Sequence, residues 1–179
     1  ECKLDDVSIH EWREQCAIVM QEGYLFSDSI AENIALSGEV KDMQRVKKAA
    51  KIACINEFIE KLPQQYDTKI GMEGLNLSNG QKQRILIARA IYKNANYIFL
   101  DEATNSLDAI NEKSLVCNLN YYFKNKTMVV IAHRLSTVKN ADNIIVMNNG
   151  TVIESGTHAE LVSMQGEYFS LIRNQLEIV

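Results

Sequence analysis

Three uninterrupted apolar runs of strand length restrict this chain more than any other feature. Tyr97 to Leu100, Met128 to Ile131 and Ile144 to Met147 lack the apolar–polar alternation of a half-exposed strand. Runs of this kind suit strands buried on both faces, as in a parallel sheet covered by helices. A helix-length segment, about Asp108 to Leu119, lies between the first two. A fourth run, Cys16 to Met20, comes earlier, and a mostly helical stretch from about Ser29 to Leu62 follows it. Strands alternating with helices predict an α/β fold.

Local signals fill in the elements. Asp42 is placed to cap a helix whose Val46, Ala49, Ala50 and Ala53 share one face. Asn56 reads as the cap of a shorter helix carrying Phe58, Ile59 and Leu62, stopped by Pro63. A loop then runs from Gln64 to Gly80, and a strong helix begins near Gln81 with Ile85, Ala88 and Ile91 on one side. Asn148-Asn149-Gly150 signals a tight turn, so Thr151 to Glu154 reads as the second arm of a hairpin. Thr157 and Glu160 form a capping box for a last helix.

Composition narrows the function classes. With 46% hydrophobic and 23% charged residues over 179 positions, a packed single domain is expected. The net charge of -4 argues against nucleic acid as a main partner. No apolar run approaches the roughly 20 residues that span a bilayer. The start, Glu1-Cys2-Lys3-Leu4, has neither an initiator Met nor the pattern of a signal peptide, which fits a piece of something longer. Cys2, Cys16, Cys54 and Cys117 are far apart and form no CxxC pair, so free thiols are expected.

Four features carry chemistry. Asp101 and Glu102 close an apolar strand, at the end where α/β sheets place their sites. Adjacent acids repel unless their tasks differ: one suits Mg²⁺, the other polarises a water. Leu77-Ser78-Asn79-Gly80-Gln81 opens a helix, and the bare amides and positive dipole of a helix tip favour phosphate. His133 follows a strand, where an imidazole can donate to a developing phosphate charge. Gln21 ends the first run, and its amide can reach a metal or a water. Each has a plainer reading: a solvated acidic turn, an ordinary helix cap, a satisfied histidine, a surface amide. His10 and His158 have only the plain one.

Taken in order, the four together resemble the nucleotide-binding domain of ABC transporters over essentially the whole chain. The resemblance implies a P-loop NTPase-like α/β fold, with about 29–80 as a helical subdomain and 1–28 with 81–179 as the catalytic core. It implies ATP and Mg²⁺ as cofactors, with Gln21 and Asp101 at the metal, Glu102 as general base and His133 as the switch histidine. Ser78, Asn79, Gly80 and Gln81 belong to the signature motif, which acts on ATP held by a second nucleotide-binding domain. Ser106, Leu107 and Asp108 resemble the loop that crosses that dimer. Ile70-Gly71-Met72-Glu73-Gly74 resembles the exporter loop that meets the transmembrane domains. The family usually has Gly at position 79; the tolerance of Asn for positive φ predicts that Asn79 is accepted.

The sequence also departs from the family. A phosphate cradle needs GxxxxGK(S/T), and none of the eight glycines is followed by Lys. The family's cradle strand lies between the strand ending at His133 and the strand Ile144 to Met147. Its absence predicts a sheet that closes the gap, swaps elements between copies, or is distorted there, and a chain that neither binds nor hydrolyses ATP well by itself. The segment from Leu25 to Ile34 and the loop before Ser78 resemble exporters, nearest to bacterial peptide or bacteriocin exporters, some of which carry a peptidase domain. The site would then lie at the cytoplasmic face of a membrane. An ABC ATPase without a transport role, or a non-enzymatic interaction module derived from the same cassette, is the competing reading.

Overall fold

The computed structural model describes residues 3, 6–36, 41–71, 74–107, 109–132 and 135–176. They fall into two compact units, 1–131 and 132–179.

In the first unit, α1 (Ile9–Glu14) leads into β1 (Cys16–Val19). β1, β2 (Tyr97–Asp101) and β3 (Thr127–Ile131) form a three-stranded parallel sheet with β2 in the middle. Val19 lies beside Leu100, and Asp101 beside Ile131. Parallel neighbours need crossovers. The β1–β2 crossover holds α2 (Ile30–Ile34), α3 (Met43–Ile52), α4 (Asn56–Glu60), a short 3-10 turn at Gln65–Asp67, and α5 (Asn79–Lys93). The β2–β3 crossover is α6 (Ala109–Tyr122). Ala17, Val19, Ile98 and Leu100 on one sheet face share a buried core with Ile85, Ala88 and Ile91 of α5 and with Leu115 and Leu119 of α6.

The opposite face departs from expectation. Ile18, Val129 and Ile131 are 63%, 45% and 57% exposed, so the apolar runs are buried on one side only. The helices that build the core cover just that side. Among the described residues, β3 has no strand on its outer edge.

Two local expectations are also corrected. Asn56 does not cap α4; Ile55 holds that position without a side-chain bond. The Asn56 carboxamide instead accepts a 2.6 Å hydrogen bond from the Tyr66 hydroxyl, in a buried pair that the local sequence does not reveal. Helix α5 starts two residues before Gln81, with Ser78 as its cap. Asp42 does cap α3, accepting from the amides of Gln44 and Arg45.

The second unit contains α7 (Leu135–Val138), β4 (Ile144–Asn148), β5 (Thr151–Gly156), α8 (His158–Met164) and α9 (Glu167–Leu176). β4 and β5 pair antiparallel. The turn residues Asn149 and Gly150 both have positive φ, 47° and 76°. That is the mirror-image turn whose twist matches a hairpin. Ile144 and Val146 are buried with Leu161 and Tyr168, whereas Ile145 and Met147 are exposed. This strand, too, has one wet face rather than none. Thr157 and Glu160 form the expected capping box of α8, and α9 follows it as a further helix. His158 sits against the Tyr168 hydroxyl at 2.9 Å, which fits its plain reading.

Candidate active site

The tip of α5 is built by a reciprocal pair. Ser78 Oγ accepts from the Gln81 amide at 3.2 Å, and Gln81 Oε1 accepts from the Ser78 amide at 2.9 Å. A capping box holds two helix-end donors and leaves the amides of the first helical residues without intrahelical acceptors. No acid stands in the first turn, so the positive end of the helix is not neutralised by its own side chains. Asn79 is the first helical residue, and its φ is not positive. Its replacement of the usual Gly thus needs no left-handed tolerance. Gly80 is needed for closeness. A Cβ there would stand 3.1 Å from Ser106 O and 3.3 Å from Leu107 Cδ2. The tip therefore rests on the turn that contains Ser106 and Leu107 of the same chain.

That turn begins at the acid pair. Asp101 ends β2, and Glu102 follows with φ of 48°, in the left-handed region. Non-glycine residues rarely stay there unless their surroundings hold them. Here the Glu102 amide donates to Ile131 O at 2.9 Å, and the Asn105 amide donates to Glu102 O at 3.2 Å. Asn105 Nδ2 also donates to Glu102 Oε2 at 2.7 Å. Farther along, the Leu107 amide donates to Thr104 O at 3.0 Å. Thr104 Oγ1 donates to the buried carboxylate of Glu112 on α6 at 3.1 Å.

Gln21 lies exposed in the turn after β1. The chain around it is gripped by one face of α5, at positions three apart. Gln83 donates to Met20 O at 3.3 Å. Gly23 lies so near the Leu86 side chain that a Cβ would run into it. Arg89 donates to Tyr24 O at 3.0 Å, to Asn33 O at 2.8 Å and to Asn33 Oδ1 at 3.1 Å. Asn33, itself buried, accepts from the Phe26 amide at 2.8 Å and donates to Phe26 O at 3.0 Å. Burial lowers the proton affinity of the Arg89 guanidinium from its ordinary value.

The structure thus joins Gly80 to Ser106 and Leu107, and those to Glu102 through one turn. Sequence reading missed Asn105, Gln83, Asn33 and Arg89. The available signal was polarity out of place, an Arg within an apolar helix face and an Asn within α2, since buried polar groups are almost always bonded to something. His133 and Asp108 lie outside the described residues. So do Met72 and Glu73 of the loop from Ile70 to Gly74. In that loop, Gly71 has φ of 102°, and a Cβ there would meet Ser27 Oγ at 2.7 Å. Cys16, Cys54 and Cys117 are free thiols.

The donor set fits a magnesium nucleotide. Asp101, Glu102 and Gln21 offer hard oxygens, and Mg²⁺ is held by one or two carboxylates plus substrate phosphates rather than by a protein cage. Among the described residues, no group of three or more His, Cys, Asp or Glu forms such a cage. The uncompensated α5 tip suits an anion.

Comparison with known proteins gives the family. The family model described as "ABC transporter" matches residues 2–105. The ATP-dependent lipid A-core flippase of Shewanella denitrificans is 47% identical over 182 residues, covering 98% of this chain and 30% of that protein. ABC transporter B family member 28 of Arabidopsis thaliana is 50% identical over 167 residues, covering 92% of this chain and 23% of that protein. A solved bacterial Atm1-family ABC exporter with ATP bound superposes with a TM-score of 0.92 at 38% identity, covering 97% of this chain and 30% of that one. The chain thus spans less than a third of the length of each of these proteins. Strand-end acids, a serine-capped helix tip and the family match lead to one conclusion: the chain belongs to the ABC transporter family.

Proposed function

We propose that the chain is part of the ATP-hydrolysing domain of a membrane exporter, completed by phosphate-binding residues from the rest of its protein. The observation that carries this reading is the turn after β2. It holds Glu102 in a left-handed conformation and seats Ser106 against the α5 tip at Gly80. In this reading Asp101 and Gln21 hold Mg²⁺, which supplies charge neutralisation for the nucleotide phosphates. Glu102 takes a proton from the attacking water as its oxygen bonds to the γ-phosphorus and ADP leaves. His133 donates to the γ-phosphate. Ser78 and the amides of Asn79, Gly80 and Gln81 face ATP held by a second nucleotide-binding domain. Ser106, Leu107 and Asp108 lie along that dimer interface.

Among the described residues, no helix is long and apolar enough to cross a membrane. Transmembrane domains belong to other parts of the protein in this reading, and the domain works at the cytoplasmic face. The names of the relatives, flippase and exporter, favour export over an ATPase without a transport role. Those names give lipid A-core as the cargo of the flippases; the peptide or bacteriocin cargo and the peptidase domain implied by the resemblance find no support there.

The test is Glu102→Gln in the full-length protein. Turnover should fall by about 10²- to 10⁴-fold, the usual range for a general base. Undiminished turnover would overturn the assignment of Glu102. The 179-residue chain alone should show no Mg²⁺-dependent hydrolysis; hydrolysis abolished by Glu102→Gln would show that no further phosphate-binding residues are needed.

A further inference from the structure

We propose that Asn105 is the positioning residue for the general base: its side-chain amide holds the Glu102 carboxylate where it can receive the proton of the attacking water. The inference rests on the reading of Glu102 as that base.

A glutamate side chain rotates about three bonds, so fixing its backbone does not fix its carboxylate. The bonds Glu102 N to Ile131 O and Asn105 N to Glu102 O, at 2.9 and 3.2 Å, hold only the backbone. The bond from Asn105 Nδ2 reaches Oε2 itself, at 2.7 Å, in the range of charge-assisted hydrogen bonds. It places a donor directly on one oxygen of the carboxylate. The donor is neutral, so it orients the carboxylate without cancelling the charge that makes it a base. A lysine or arginine at 105 would form an ion pair, and an aspartate would repel.

The holder is itself held. Asn105 lies in a turn closed by Leu107 N to Thr104 O and tied to α6 through Thr104 and Glu112, both buried. The carbonyl next to it, Ser106 O, faces Gly80. A shift of the α5 tip against this turn would therefore be felt at the Glu102 carboxylate through Asn105.

The plain alternative is that Asn105 merely shapes a turn, which Asn and Asp do about equally well. Asn105→Asp separates the two. It keeps size and turn preference but replaces the donor with a second carboxylate. Steady-state ATP hydrolysis by the full-length protein in lipid is measured for Asn105→Asp, Asn105→Ala, Asn105→Ser and Glu102→Gln, with melting temperatures alongside.

If Asn105 positions the base, kcat falls about 10- to 100-fold in the Asp variant, as expected for a misplaced catalytic group. The KM for ATP should stay within about twofold, because an interaction made only in the transition state is lost. The Ala variant should lose less than the Asp variant. Ser, which keeps a donor, should recover part of the loss. Wild-type kcat in either Asn105→Asp or Asn105→Ala overturns the proposal; if Asp prevents folding, the Ala and Ser variants decide. Wild-type turnover in Glu102→Gln overturns the underlying reading instead, so the two failures are told apart.

Discussion

Replacing Arg89 with Met should loosen the segment around Gln21 while leaving the α5 tip intact. Methionine keeps much of the stem and its packing but removes the donors to Tyr24 O, Asn33 O and Asn33 Oδ1, at 3.0, 2.8 and 3.1 Å. It also removes the guanidinium from above the Phe26 ring, 5.7 Å away. Hydrogen bonds to charged groups contribute about 1.5–3 kcal/mol each, but they are not additive. Arg89 is half-buried, so water can replace part of what is lost. A net loss of about 2–4 kcal/mol follows from these limits. Lysine, with a single ammonium in place of the fork, should recover less than half of it. Urea denaturation gives the global loss. Amide exchange at Phe26 gives the local one, because its N–H is held by Asn33 Oδ1, which Arg89 in turn fixes. A change below about 0.5 kcal/mol, with unchanged exchange at Phe26, would match an ordinary surface substitution and refute the reasoning.

Three further outcomes follow from the geometry. Gly80→Ala places a methyl 3.1 Å from Ser106 O, so the turn must shift. Hydrolysis by the full-length protein should fall at least about 10-fold, as small displacements of catalytic groups do, and full activity would discount the close approach. Glu102→Asn should abolish activity yet stabilise the fold by about 0.5–1 kcal/mol in denaturant, because Asn tolerates φ of 48° better than Glu. Tyr66 is pushed up to about 12, chiefly by burial, with Glu60 adding to the effect. Its raised value favours the folded state fully below the unfolded value of about 10. That contribution is lost as pH rises from there to about 12. Tyr66→Phe should therefore flatten the fall in stability across that window, while costing about 1 kcal/mol at neutral pH through the lost bond to Asn56; an unchanged slope would count against the burial effect.

What could be read from the sequence was what is decided locally. The capping box at Thr157 and Glu160, the cap at Asp42 and the Asn149-Gly150 turn each rest on residues a few positions apart, so their chemistry is visible in a short window. The apolar runs gave strand type and α/β order. They could not show which faces would be covered, because that depends on what packs over the sheet, and Ile18 and Val129 stay exposed. Asn56 misled because its partner, Tyr66, belongs to a different local element. At the site, the acid pair and the serine-led tip were legible as residue types. The left-handed turn at Glu102 was not, since a contact with Ile131 on another strand fixes it. Asn105 is only three residues from Glu102, yet an Asn in a turn reads as turn chemistry until its amide is seen on the carboxylate. Arg89 and Gln83 bond to a segment more than sixty positions away in sequence, Tyr24 and Met20.

Helix α5 joins the two halves of this arrangement as a lever arm. Its end carries Ser78, and its middle is bolted by Gln83, Leu86 and Arg89 to the strand exit that bears Gln21. From Ser78 to Arg89 the axis runs about 16 Å at the rise of an α-helix. Tilting the helix by about 10° around the Arg89 anchorage would sweep its end through about 3 Å on that geometry, one hydrogen-bond length. A pull on the residues after β1 that tilted the helix would therefore move the serine by about that length.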